Sequence, residues 1–190
     1  MKKSNKLIFC ERKKKQKLNR TIWLTLFSTA AIIMALFILS NINPLKGDAV
    51  ELMRDSSHVP IGTDPGPYNT NPPTSGRHYK ESLEAGFYQE NPYQYAEGYL
   101  VHSQEHGYVI FWYNCIILDG TQCTELKSQI KSVMLASDNY KVIAFPWESI
   151  DVPIVMTSWE KLHRFANFDL DAALTFVEQN REKSPEPSGH

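Results

Sequence analysis

Cysteine is scarce in this chain. Three cysteines in 190 residues cannot build a disulfide-dense miniprotein. There is no internal repeat, no low-complexity core, and no Met-rich or His-rich run, so a sponge for many metal ions is excluded. Net charge is almost absent too. Twenty Lys+Arg stand against 21 Asp+Glu, a formal −1, which on its face removes an electrostatic partner. What is present is apolar: at 42% hydrophobic residues the chain is too rich in core formers to be disordered throughout. Its length suits one ordinary domain with appendages.

The near-zero charge is an average of two unlike parts. Residues 1–20 hold Lys2, Lys3, Lys6, Arg12, Lys13, Lys14, Lys15, Lys17 and Arg20 against Glu11 alone, a net +8. The other 170 residues carry a net −9. Between the two lies an uncharged run of 22 residues, 21–42, TIWLTLFSTAAIIMALFILSNI. As a helix it would reach roughly 33 Å, enough to cross a hydrocarbon core of about 30 Å. Trp23 near its start suits the headgroup region, and the basic cluster before it predicts a cytoplasmic N-terminus. The expectation is a single-pass protein of the cell membrane, with everything after the span extracytoplasmic. A cleaved signal peptide is the competing reading, with Gly47-Asp48-Ala49 as a small-x-small site. The apolar run is longer than the usual signal core, and no such site abuts it, so an uncleaved signal anchor is preferred. Cys10 precedes the span and cannot be a lipid attachment site. An acidic body gives no reason to expect a nucleic-acid partner; a protein partner is unknown.

Residues 43–60 are polar and read as a stalk, and 182–190 (EKSPEPSGH) as a disordered tail. Residues 61–181 are left for one extracytoplasmic domain. Its opening segment, 61–77, holds four prolines and three glycines, which excludes regular structure and favours a rigid ordered loop. Residues 98–102 and 107–113 look like strands, rich in β-branched and aromatic residues. Residues 125–136 place Leu126, Ile130, Val133 and Met134 at helical spacing. Strands are expected at 141–145 and 154–157, and a last helix at 170–181 capped near Asp169, with Ala173, Leu174 and Val177 inward. The order suggests an α+β, two-layer domain: an antiparallel sheet with helices on one face.

Cys115 and Cys123 fall outside the expected span, where an oxidising compartment favours a disulfide. Asp119-Gly120 between them reads as a turn that would bring them together. Two free thiols or a pair of soft metal ligands are the alternative.

The histidines carry the chemistry. His58 and His190 lie in the expected stalk and tail, and His163 sits in a helix-like aromatic stretch as a surface or packing residue. His78 follows the rigid loop, and His102 and His106 bracket Ser103-Gln104-Glu105. Residues four apart on a continuous strand are about 13 Å apart and cannot share an ion. On a helical turn they are neighbours. Across a hairpin with a 103–105 loop they would face each other at about 5 Å. Gly107 and the strand-like flanks favour the hairpin. Either arrangement permits a shared ion, with Glu105 as a further ligand, an acceptor for an imidazole N–H, or a general base. His78 would complete the set if the proline-rich loop folds over the pair. Otherwise these histidines simply bond backbone and fix the turn.

The motifs Asn71-Pro72-Pro73-Thr74-Ser75-Gly76-Arg77-His78 and His102-Ser103-Gln104-Glu105-His106-Gly107 resemble the signature of a bacterial family catalogued as domain of unknown function 3105. The resemblance covers about residues 60–180 and implies a short cytoplasmic start, one span and this domain. Arg77 stands where a proline is common, and Gln104 where a leucine is common. The resemblance brings no activity and no catalytic residue, but it implies that both motifs belong to one site.

Three functions are compatible with these residues. One is a discrete site for a single Cu or Zn ion, which suits imidazole and carboxylate ligands. Another is a metal-assisted hydrolase with Glu105 as base, for which no separate nucleophile motif exists. The last is a non-enzymatic envelope module presenting Phe87, Tyr88, Tyr93, Tyr95 and Tyr99.

Overall fold

The computed structural model describes residue 19, residues 22–34 and residues 47–188. The chain divides into two compact units, Met1–Asn43 and Pro44–His190. In the first, residues 22–34 form helix α1. The expected span over 21–42 lies partly outside the described residues, and so does nearly all of the basic segment. Among the described residues no helix is long and apolar enough to cross a membrane.

The second unit is an α+β domain. In chain order it has β1 (Asp48–Ala49), β2 (Gly86–Phe87), α2 (Ala96–Glu105), β3 (Val109–Tyr113), α3 (Gly120–Ala136), β4 (Val142–Pro146), β5 (Ile154–Ser158), β6 (Lys161–Phe165) and α4 (Leu170–Asn180). The strands form one sheet in the order β1-β6-β5-β3-β4-β2.

The sheet is mixed, not antiparallel as expected. β3 pairs parallel with β4, and β4 parallel with β2, whereas β5 and β6 add to β3 as an antiparallel ladder. Two parallel neighbours cannot be joined by a tight turn, and α3 supplies the crossover between β3 and β4. The two-layer expectation fails for a related reason. All five residues of β3 are buried. Val109, Phe111 and Tyr113 pack toward α3 and α4, with Leu126, Ile130, Val133, Ala173, Phe176 and Val177. Ile110 and Trp112 pack on the other face, with Leu100 of α2 and Leu83. Burial on both faces explains why β3 reads as a continuous apolar run. Each large apolar side chain so enclosed contributes roughly 1.5–3 kcal/mol.

Helix α3 starts earlier than the periodicity from 125 suggests. Asp119 and Gln122 form a capping box, each side chain accepting the other's backbone N–H, so Asp119-Gly120 opens a helix and is not a turn. The first turn carries Cys123, and its disulfide to Cys115 spans Cα atoms 5.3 Å apart. Asp169 caps α4 by accepting from the Ala172 N–H, as expected. His163 lies on β6, not on a helix, with its ring 4.4 Å from that of Phe165.

The largest local difference is α2. Residues 98–102 were expected as a strand and are helical. Neither end of this helix carries an easily read start signal: Tyr95 caps it in the left-handed region without a side-chain bond. Its stop is clear in structure. Gly107, at φ +83°, donates to the Gln104 carbonyl, and Tyr108 to that of Ser103. This paired arrangement is the Schellman ending, which favours a residue without Cβ. The glycine taken for a hairpin signal therefore terminates a helix.

Both expected appendages lie along the domain. Of the stalk, β1 pairs with β6, Val50 donates to Glu160, and Val59 and His78 are joined through a bridge at His58. Of the tail, residues 182–188 run back against the end of α2, with Glu182 donating to Gly107 and Glu186 to Glu105. The proline-rich loop is ordered as expected: Pro72, Pro73, Thr74 and Ser75 are buried.

Gly98 sets how closely α2 approaches this loop. A Cβ there would lie 2.7 Å from the ring of Tyr79, which is fully buried and cannot retreat. Gly98→Ala would gain about 1 kcal/mol in helix propensity. It would lose roughly 1–3 kcal/mol to overpacking. The expected outcome is a lowered urea midpoint; an unchanged or raised midpoint would show that the Tyr79 ring yields.

Candidate metal centre

Two chain segments meet here. The loop 71–79 is pinned by neighbours on every side. Asn71 donates to the Ser149 carbonyl and accepts from Trp147 Nε1, at 2.9 and 2.8 Å. Ser75 Oγ accepts from the Met53 N–H, and Gln104 Nε2 donates to the Pro73 carbonyl, at 3.1 and 3.0 Å. Gln104 thus ties the two motifs together. Arg77 spends its guanidinium on the carbonyls of Pro65 and Gly66 within the loop.

His102 and His106 are neighbours because they are four apart at the end of a helix, not across a hairpin. Their rings stack with centroids 4.5 Å apart. His78 comes from the loop, its ring 5.1 Å from that of His102. His58 comes from the segment read as a stalk, 4.8 Å from the His78 ring and 5.3 Å from that of His102. His78 is fully buried, His102 and His106 are 8% and 7% exposed, and His58 is exposed.

Hydrogen bonding decides which nitrogen each ring presents. His78 donates Nδ1–H to the Gly76 carbonyl at 2.8 Å. His102 donates Nδ1–H to Tyr79 at 2.5 Å, and His106 to Glu186 at 3.2 Å. A carbonyl can only accept, so each Nδ1 must carry the proton. In the neutral ring Nε2 then holds a lone pair, and it is Nε2 that faces the cluster. This is the usual outer bonding of a metal-ligating histidine.

The inward contacts cannot be satisfied by neutral rings alone. His102 Nε2 lies 2.6 Å from His106 Nε2. Two lone pairs at that distance repel unless a proton or another cation lies between them. His78 Nε2 lies 3.0 Å from Glu105 Oε2, but off the line of a hydrogen bond, and this fully buried nitrogen has no hydrogen-bond partner. Burial pushes the His102 imidazole down to about 4, against a smaller opposing effect of its Tyr79 bond, and His106, His78 and His58 add to the depression. At neutral pH His102 is therefore uncharged and able to act as a ligand.

His58, His78 and His102 each offer one ligand atom, and these lie within 4.8 Å of one another. Of the residues expected from sequence, His78 and His102 belong to this triad. His106 touches it through His102, and Glu105 through His78. His58 was missed. It reaches the site through a backbone bridge to His78, a non-local pairing with no periodic trace in sequence. The aromatic run Phe87, Tyr88, Tyr93, Tyr95 and Tyr99 is in part packing: the Tyr93 ring lies 5.2 Å from that of Tyr99, and Phe87 packs 5.5 Å from Tyr113.

A family model described as "Protein of unknown function (DUF3105)" matches residues 62–190. No curated protein and no solved structure matches the chain.

The depressed His102 makes a signed prediction for the ion-free protein. Unfolded, the ring binds a proton near its ordinary 6.5; folded, only near 4. Between those values the unfolded chain carries more protons, so stability rises with pH. Acidifying from pH 7 to 4.5 in the presence of a chelator should cost roughly 2 kcal/mol from this group. Urea midpoints should show most of that loss between pH 6.5 and 4.5, and His102→Gln should flatten it. An equal slope in the variant would assign the effect elsewhere.

Proposed function

The chain belongs to the DUF3105 family, a membership that carries no activity, and on that premise we propose that its folded domain binds one transition-metal ion on His58, His78 and His102, the latter two through Nε2. The observation that carries this reading is the common tautomer. The three buried rings, His78, His102 and His106, donate Nδ1–H to backbone carbonyls and turn Nε2 toward the cluster. Histidines serving only to fix a turn would need their outward bonds but not this convergence.

The chemistry of the donors suits Cu(II) or Zn(II). Ligand nitrogens about 2.0–2.1 Å from a tetrahedral ion stand roughly 3.3 Å from one another. A seated ion draws the triad inward and relieves the crowding between His102 and His106. Glu105 supplies a compensating negative charge beside His78. His58 is exposed, so the ion has a solvent-facing side.

The domain is held outside the cell by an uncleaved anchor over residues 21–42, with residues 1–20 in the cytoplasm. The uncharged run and its basic flank support this reading. The disulfide Cys115–Cys123 supports it independently, since such bonds persist in oxidising compartments.

Full chain purified in detergent without a polyhistidine tag should contain or take up about one equivalent of Cu(II) or Zn(II), and His102→Ala should lose it. Elemental analysis showing no metal and no uptake by the intact chain would leave the histidines as structural groups. For orientation, protease added to intact cells should degrade the domain after residue 60 and spare the N-terminal segment. Protection of the domain would reverse the assignment.

A further inference from the structure

The segment after α4 does more than lie on the domain. Glu182 donates its N–H to the Gly107 carbonyl at 2.9 Å, and Glu186 donates to the Glu105 carbonyl at 3.1 Å. The Glu186 carbonyl takes the Nδ1–H of His106. Lys141, itself buried, donates from Nζ to the carbonyls of both His106 and Pro187. Tyr140 adds a bond from its hydroxyl to the Glu182 carboxylate at 2.7 Å. The contact is close enough to need a glycine beneath it. A Cβ on Gly107 would lie 2.7 Å from the Glu182 Cα.

One imidazole differs from the others in who holds it. His78 and His102 bond carbonyls of Gly76 and Tyr79, which the loop carries as part of the domain core. His106 bonds a carbonyl 80 residues away, on a segment with exposed residues at 182, 183, 185 and 186. With that segment seated, His106 Nδ1 is the donor and Nε2 faces His102 Nε2 at 2.6 Å. With it lifted, nothing described fixes the His106 tautomer or ring orientation.

We infer that residues 182–188 form a latch on the ion site, which decides whether His106 joins it as the fourth nitrogen. The inference rests on the ion reading above. Seated, the latch gives four imidazoles and a filled set of ligands that retains the ion. Lifted, it leaves three imidazoles and an open coordination position, from which the ion exchanges more readily. The latch thereby regulates retention by a bond to the outer nitrogen of one ligand, without touching the ion. Loss of such an outer bond costs roughly 10–100-fold in metal affinity.

The experiment compares Zn(II) affinity, by competition with a chromophoric chelator, for four detergent-purified chains. These are the intact chain, a chain ending at Arg181, His106→Ala, and His106→Ala in the shortened chain. The shortened chain and His106→Ala should each bind about 10–100-fold more weakly. The combined variant should be no weaker than His106→Ala alone, because the latch acts through that ring. Nitrogen NMR of the ion-free chain should show His106 as the Nδ1–H tautomer when intact and a mixture when shortened. Should truncation melt the domain, Lys141→Met loosens the same segment in the full chain and should weaken binding in the same direction. Equal affinity with and without the segment overturns the latch and leaves the ion site standing. So does an equal further loss in the His106→Ala background. No uptake by the intact chain overturns both.

Discussion

A carbonyl oxygen can accept a hydrogen bond but never donate one, and the candidate site depends on that asymmetry. Gly76, Tyr79 and Glu186 each present a carbonyl to an imidazole Nδ1. That choice makes Nδ1 the protonated nitrogen in each ring and turns Nε2 toward the others. Everything else in the neighbourhood serves to put those carbonyls in place. The absent side chain of Gly98 lets Tyr79 close on α2. The Gln104 amide holds the proline-rich loop against the same helix. The resulting cluster is crowded and nearly dry, which keeps His102 uncharged at neutral pH.

Burial and crowding bear on the two roles open to these residues. A histidine kept for packing can bury its ring and satisfy both nitrogens. Here the outer nitrogens are satisfied, whereas His78 Nε2 is not, and the Nε2 atoms of His102 and His106 have only each other. A fully buried His78 Nε2 without a hydrogen bond is a cost of about 1–3 kcal/mol unless something compensates it. A cation at the centre compensates several such nitrogens at once. The acidic balance of the chain after residue 20 would assist a cation only weakly, since charges beyond about 10 Å are largely screened.

Much of the domain was legible in its sequence, and the failures have physical causes. Leu126, Ile130, Val133 and Met134 gave α3 because that helix buries one stripe. Asp169 gave the start of α4. α2 was misread because both of its sides are covered: Leu100 and Val101 are buried, and so are His102, Ser103 and Gln104. A helix enclosed in this way shows no apolar stripe, and its Tyr, Leu and Val mimic a strand. The sheet was read as antiparallel because β3 and β4 differ from hairpin strands only in what joins them. Of the histidine triad, His78 and His102 were visible through motif spacing. His58 and residues 182–188 were not, because polar, proline-bearing segments look alike whether they wander in solvent or are held by backbone bonds. Only distant partners tell them apart.

Gly107 sits where two distant parts of the chain are reconciled, and this orders the events of biogenesis. Its left-handed backbone can end α2 as soon as residues 103–108 exist. The carbonyl it offers to Glu182 finds its partner only after α3, β4, β5, β6 and α4 have been made and packed. In a chain emerging N-terminus first, both imidazoles are therefore made well before the carbonyl that orients the second of them. Contacts of such long sequence separation are the slow ones in folding. A chain that ends before residue 182 can thus hold every strand of the sheet and still leave the His106 ring without the carbonyl that orients it.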